Sequence, residues 1–511
     1  MSAAPAFGAS RVPDADRRTW FGLLVLMLPV LLVSMDFSVL YLAIPTITDA
    51  IDPTATEQLW ILDIYGFLIA GLLITMGNIG DRIGRRRILL TGAAVFCGAS
   101  VLAAFAPNAA LLIAARALMG VGGATLMPAS LSLLASMFPP HQRGRAIGVW
   151  TAAFAGGAAL GPVVGGILLH HFWWGVVFLI NVPVLAVLFA LAPLLLPEYR
   201  ASSTEPFDVL GVVLSMAGIL PVVYAVKTFA ASGPSTSVVV AAALGVAAFV
   251  TFLRHESRCA APLVDLSLFR NPALCAALAV ALVGMMAQGG IAYLSNVYLQ
   301  SVLEYDVLSA AFAGLPMAVT VAVFSVSADR VARRFGVRWT LSGSVLLAAA
   351  ATLGFLTLDA DTGLWVFLVL TAAAGIGYGI QFALVSDVVV GAAPPEKSGA
   401  ASGISETCFE LGTALGLALL GSIATAVFRS RGRDAGVADS LGETLKQARA
   451  DGVPGEALAD AARAAFVDGM HVAAAAGGIG LAILAGVVVV AVADRHTRTV
   501  DSAEGVDLPD A

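Results

Sequence analysis

The sequence predicts an all-α polytopic membrane protein with fourteen transmembrane helices, arranged as two six-helix bundles plus two inserted helices. Three observations carry that expectation. Charged residues make up 12% of the 511 residues while 59% are hydrophobic, against about 25% charged in a soluble globular protein. Too few charges exist to coat a water-exposed surface. Uninterrupted apolar runs recur at lengths near the roughly 20 residues that span a bilayer, and their continuity excludes a barrel of alternating strands. Finally, a charged loop motif occurs twice, as expected of a duplicated bundle.

The apolar runs fall near 20–46, 58–77, 88–106, 109–134, 145–169, 174–196, 208–229, 236–253, 274–301, 308–328, 339–357, 364–391, 399–428 and 469–493. Most of the 28 Lys and Arg, among them Arg17, Arg82, Arg143, Arg200, Arg254, Arg330 and Lys397, fall on one side of this scheme. Short loops opposite carry only acids: Asp49, Asp52, Glu57, Glu304, Asp306, Asp359 and Asp361. Positive loops stay inside, so both termini are expected in the cytoplasm. The expected division is a tail over 1–19, a six-helix bundle over 20–200, a two-helix insert over 201–262, a second bundle over 263–493 and a tail over 494–511. Arg17 and Arg18 resemble the start of a signal peptide, but the run behind them is too long and lacks a small-residue cleavage site.

Taken in order, the spans place five carboxylates in the membrane: Asp36, Asp63, Asp387, Glu406 and Glu410. An intramembrane acid is costly, and a functional role is its default reading. After the second span comes Gly77-Asn78-Ile79-Gly80-Asp81-Arg82-Ile83-Gly84-Arg85-Arg86-Arg87. Its glycines let helices approach and the chain turn tightly, and an Asp beside a helix end can pair with Arg across a seam and latch one state. A weaker copy, Asp329-Arg330-Val331-Ala332-Arg333-Arg334, follows the tenth span, displaced by 248 residues (329 minus 81).

In the fourth span, Arg116 precedes Gly120-Val121-Gly122-Gly123-Ala124. A buried Arg costs at least ~2.5–3.5 kcal/mol unless paired or hydrated, and two carboxylates lie within reach by depth, Asp63 level with it and Asp36 somewhat deeper. The fifth span carries Gly148, Gly157, Gly161-Pro162 and Gly165-Gly166. Small residues four apart let helices touch backbone to backbone, and Pro162 permits bending. In the thirteenth span, Glu406 and Glu410 are one turn apart on one face, with Glu410 about 18 Å from the cytoplasmic end. Like charges this close in low dielectric cannot comfortably both ionise, so the pair suits a proton or a cation. Asp387, near a helix end, reads as a structural or gate residue. Aromatic faces attract cations by ~0.5–2 kcal/mol, and the candidates are Trp60, Tyr65, Trp150, Phe154, Tyr293, Tyr378, Phe382 and Phe409. The outer segment 429–468 has Ala-rich, charge-alternating stretches around Gly452-Val453-Pro454-Gly455 and reads as two short amphipathic helices.

These strings resemble the major facilitator superfamily. The 77–86 loop matches its signature G-x-L-x-D-R-x-G-R-[RK] apart from the Leu, the Arg116 string its R-x-x-x-G-x-G-[GA]-A motif, and the fifth-span glycines its antiporter motif. Met35-Asp36, Trp60-Ile61-Leu62-Asp63, Phe178-Leu179-Ile180-Asn181-Val182-Pro183 and Glu406-Thr407-Cys408-Phe409-Glu410 further resemble the fourteen-helix drug:proton antiporter family. The resemblance implies efflux of lipophilic organic cations (quaternary ammonium antiseptics, biguanides, dyes) in exchange for protons. It casts Asp36, Asp63, Glu406 and Glu410 as coupling and binding acids, Arg116 as charge partner, and Gly77, Asp81, Arg82, Gly84, Arg85 and Arg86 as the gating loop. One member uses a further acid in its tenth helix; 308–328 contains none.

The expected partners are organic cations, protons and the bilayer of a bacterial cytoplasmic membrane, with the chain a monomer and no enzyme. No nucleic-acid patch is needed to explain the arginines. Gly391-Ala392-Ala393-Pro394-Pro395-Glu396-Lys397-Ser398 misses a phosphate loop because Glu396 would repel phosphate and the prolines remove donors, so no nucleotide is expected. No cofactor is expected, and Cys97, Cys259, Cys275 and Cys408 show no paired spacing, so neither disulfide nor metal site is indicated. Export of an endogenous metabolite or self-made antibiotic, or a non-transporting receptor-like role, are the alternatives on the same fold.

Overall fold

A computed structural model describes residues 14–492, apart from 201–207, 260, 261, 265, 360, 395, 396, 434, 435, 439 and 452. Most of the N-terminal tail and nearly all of the C-terminal one, with Glu396 of the 391–398 string and the breaker Gly452, lie outside the described residues. Among the described residues, fourteen helices are long and apolar enough to cross a membrane. They are α1 (Arg17–Ile51), α2 (Ala55–Ile83), α3 (Arg85–Ala104), α4 (Ala109–Met137), α5 (Pro140–His171), α6 (Val176–Leu195), α7 (Val209–Ser232), α8 (Thr236–Glu256), α9 (Pro272–Val297), α10 (Leu315–Phe335), α11 (Val337–Gly354), α12 (Leu364–Ala392), α13 (Ser398–Gly432) and α14 (Val453–Ala491).

Polar caps mark where the apolar runs begin. Asp16 accepts from Thr19 N at 2.8 Å, Asn108 from Leu111 N at 2.9 Å and Asp208 from Gly211 N at 2.8 Å, while Thr54 and Glu57 close a capping box. Each satisfies a backbone donor that the first turn leaves open. The duplicated loops turn on glycines at positive φ, which other residues rarely adopt, Gly84 at φ 122° and Gly336 at φ 83°. Gly336 stands one helical turn later relative to its Asp than Gly84 does, so α10 runs a turn further before the chain reverses.

Helix pairings in the first six spans recur in the last six. α1 packs on α5 as α9 does on α13, α2 on α4 as α10 on α12, and α3 on α6 as α11 on α14. The two sets meet where α2 lies against α13 and α5 against α10, and the α7–α8 hairpin docks through α7 onto α2 and α13.

One expectation is corrected. Of the two short helices expected between α13 and α14, only Leu441–Asp451 is separate; the other is the first part of α14. Pro454 suits a helix start, where its missing N–H is no loss, and the Ala-rich stretch behind it has high helix propensity with nothing to stop it before the membrane. Gly455 lets the two helices cross against the Ala448 carbonyl.

Candidate functional site

The charged groups of the first six helices are held in place by partners. Arg116, 1% exposed, pairs through Nη1 with Asp36 of α1, donates from Nε to the Ile61 carbonyl at 3.3 Å and lies 4.4 Å over the Tyr65 ring. The fourth-span glycines create that arrangement: a Cβ on Gly120 would meet the Tyr65 carbonyl at 2.8 Å, and one on Gly123 the Tyr65 ring at 3.3 Å. α2 therefore approaches closely enough to lay Tyr65 on the guanidinium. Asp63, two residues before Tyr65, is half-buried.

The 77–86 loop clamps the two sets of helices on one side. Asp81 accepts from Arg85 Nε at 3.0 Å and from the Gly399 and Ala400 amides at 2.9 and 3.2 Å, at the N-terminus of α13. A helix start carries free donors and a positive dipole end, so it holds a carboxylate well. Arg85, buried, donates to the Ser132 carbonyl at 3.1 Å and lies 4.2 Å over Tyr199, and Ser132 meets Ser398 at 3.0 Å. Gly77 touches the Gly399 backbone, Arg82 donates to Asn78 Oδ1 at 3.0 Å, and Arg86 donates to the Leu196 carbonyl at 2.9 Å. The copy is looser: Arg333 reaches Asp329 at 2.5 Å and the His141 carbonyl at 3.1 Å from an exposed position.

The glycines of α5 divide their work. Gly157, Gly161 and Gly165 face α1 at Ser34, Ser38 and Val39, and Gly148 faces Ser325 of α10, whose hydroxyl donates to the Gly148 carbonyl at 3.0 Å. Gly166 faces open space. Pro162 lines a cavity.

That cavity, about 500 Å³, lies among α5, α9, α10 and α12 and reaches Asn296 and Ala311, at the end opposite the Asp81 clamp. Phe154, Tyr378 and Phe382 line it with Thr151, Gln288 and Thr371, and among the described residues none that lines it is charged. Sequence reasoning missed these uncharged polar groups, which carry no signature in an apolar run. Phe154 stacks on Phe382 at 5.7 Å and Phe382 on Phe409 at 4.1 Å, joining α5, α12 and α13. Phe409 itself does not line the large cavity; it neighbours Glu410 in sequence and sits one turn from Glu406. Glu406 is 3% exposed, and its Oε1 has no hydrogen-bond partner among the described residues. Glu410 is half-buried, and Tyr65 lies within electrostatic reach of Asp36, Arg116 and Glu410.

Other aromatic candidates lie elsewhere. Trp60 is 38% exposed in an apolar groove between α2 and the α7–α8 hairpin, and Tyr293 is 47% exposed on α9. Trp150 is fully buried and donates from Nε1 to Ser130 Oγ at 3.0 Å, a packing contact between α5 and α4.

The Major Facilitator Superfamily model matches residues 26–417. Multidrug efflux pump LfrA of Mycolicibacterium smegmatis is 39% identical over 96% of this chain and 99% of its own length. Methyl viologen resistance protein SmvA of Salmonella typhimurium is 33% identical over 92% and 97%, and the Tetracenomycin C resistance and export protein of Streptomyces glaucescens is 32% identical over 79% and 76%. Among solved structures, the human organic anion transporter MFSD10 (TETRAN) superposes with a TM-score of 0.61 at 15% identity, covering 93% of this chain and 100% of that one, a likeness of fold. With the fourteen spans, the duplicated Asp–Arg loop and a family match over most of its length, the chain belongs to the Major Facilitator Superfamily.

Proposed function

We propose that this protein is a proton-coupled multidrug efflux antiporter that exports lipophilic organic cations by alternating access, working as a monomer in a bacterial cytoplasmic membrane. Relatives named for multidrug efflux and for methyl viologen resistance cover nearly the whole chain. The observation that carries the reading is the aromatic stack Phe154–Phe382–Phe409, with an uncharged cavity on one side and the Glu406–Glu410 pair at the Phe409 end.

The basic loops put the Asp81 clamp in the cytoplasm, so the cavity opens outward and the clamp shuts the inner side. Two six-helix bundles rock about the α2–α13 and α5–α10 contacts, with the small residues of α5 as bearing surfaces. A drug cation held by the acids and by ring faces, each worth ~0.5–2 kcal/mol, leaves outward when a proton neutralises its carboxylate. Each net charge moved is worth ~2.3 kcal/mol per 100 mV, so two protons per monovalent cation add voltage to the driving force.

Ethidium or benzalkonium efflux from cells tests this reading. Efflux is expected to stop with a protonophore and with Asp36→Asn or Glu410→Gln; efflux that survives both would refute proton coupling through these acids. A second reading, export of a neutral self-made antibiotic, draws on the uncharged cavity lining and on the tetracenomycin relative. Its substrates would remain transported in Glu406→Gln and Glu410→Gln proteins.

A further inference from the structure

A charged cluster outside the transport path lies where the α7–α8 hairpin enters and leaves the membrane. Asp208 caps α7, and its carboxylate meets His255 Nε2 of α8 at 2.9 Å through both oxygens. Cys259 follows one turn after His255, on the same face, and its amide donates to the His255 carbonyl at 2.9 Å, which continues the helical turn. One oxygen of Asp208, a ring nitrogen of His255 and Cys259 Sγ all lie within 4.8 Å of one another.

Glu256 supplies the independent observation. Its side chain is 3% exposed; Oε2 accepts from the Val264 amide at 2.9 Å, while Oε1 has no partner of bonding geometry among the described residues. That oxygen points at the same spot: a methyl on Gly211 would lie 2.6 Å from Glu256 Oε1 and closer still to Asp208 Oδ2. Gly211 therefore leaves room for two carboxylates to converge. Buried carboxylates side by side repel unless a proton or a cation lies between them.

We propose that Asp208, His255, Cys259 and Glu256 form a four-ligand site for a divalent transition metal of the zinc class, clipping the start of α7 to the end of α8. One thiolate, one imidazole and two carboxylates make a donor set that suits zinc, whose bonds run about 2.0–2.3 Å. A tetrahedron of such bonds separates its ligand atoms by about 3.3–3.8 Å. Among Asp208, His255 and Cys259 the 2.9 Å contact opens slightly and separations of up to 4.8 Å close by about 1 Å, adjustments within side-chain rotation; Glu256 Oε1, outside that group of three, turns in from beside Asp208 Oδ2. Through Glu256 the clip also braces Val264, beside Leu263, whose carbonyl accepts from Asn78 Nδ2 at 3.4 Å. The metal would then steady the segment joining the hairpin to α9, next to the Asp81 loop. Spacing along the chain indicated no metal site because Asp208 and His255 are 47 residues apart.

The test uses the full chain in lipid nanodiscs, stripped with chelator and titrated with Co²⁺, whose thiolate charge-transfer and tetrahedral ligand-field bands report the donor set. One Co²⁺ per chain, displaced by Zn²⁺, is expected. Cys259→Ser should lose the thiolate band, and His255→Ala should weaken binding by at least the roughly 10–100-fold that loss of an outer-shell partner costs. Cys275→Ser should change nothing. Variants that run as monodisperse protein and keep drug efflux rule out misfolding. The absence of a saturable cobalt spectrum in the parent protein, or a spectrum that survives Cys259→Ser, overturns the assignment. A carboxylic-acid infrared band in metal-free protein that vanishes in Glu256→Gln, without any cobalt binding, would assign the site to a shared proton instead.

Discussion

The two halves of this molecule treat charge differently. In the first six helices the buried charges are tied down: Arg116 has Asp36, a backbone carbonyl and a ring face, and Asp81 has Arg85 and two amides of α13. In the last six, Glu406 is just as buried but has an oxygen without a hydrogen-bond partner among the described residues, and the Asp329–Arg333 pair that copies Asp81–Arg85 lies partly in solvent. The lesson is a division of labour. Charges with complete sets of partners are costly to strand, whereas a carboxyl buried without a cation is a cheaper place to put or remove a proton.

Substitutions can break that contrast. The largest effect is expected for Arg116→Ala, which strands Asp36 in a site 7% exposed and should cost ~3–5 kcal/mol, since the remaining charge loses its partner. Thermal unfolding of purified protein reads it, and adding Asp36→Asn should recover part of the loss; a double variant no better than the single would show that the ion pair is not the reason.

Asp81→Asn comes next. It weakens charged hydrogen bonds worth ~1.5–3 kcal/mol each across the seam between the halves, so the inner side should open more often. Cysteine labelling of Ser398→Cys, which the clamp covers, should speed up; unchanged labelling would remove the clamp from the gating argument. Arg333→Ala, at the looser copy, should cost no more than ~1 kcal/mol because an exposed pair is screened by water. A loss as large as that of Asp81→Asn would erase the distinction between the copies.

Smallest in stability should be Glu406→Gln. An amide in place of an uncompensated acid is expected to leave the melting temperature unchanged or raise it, while proton-driven efflux drops roughly tenfold or more, about 1.4 kcal/mol. A destabilised protein with normal efflux would make Glu406 a structural residue.

Much of this architecture is written locally. Span count, the caps at Asp16, Thr54 and Asn108, the turning Gly84 and the close-packing glycines of α5 all follow from chemistry within a few residues, because a lipid-embedded backbone must satisfy its own hydrogen bonds in helices. The cost of burying Arg116 likewise announced a carboxylate partner, and the adjacency of Glu406 and Glu410 follows from helical period alone. What needed the folded chain were choices among equals and meetings at a distance. Asp36 of α1 pairs with Arg116 while Gly120 and Gly123 bring α2 in to lay Tyr65 over the guanidinium; Phe154, Phe382 and Phe409 form one stack while Trp60 and Tyr293 turn outward; the second outer helix merges into α14 because no residue ends it. The Asp208–His255–Cys259–Glu256 cluster belongs with these. Helical periodicity says which residues share a face, but only the packing of one face against another decides which charges meet, and the free energy of a buried charge depends on that meeting.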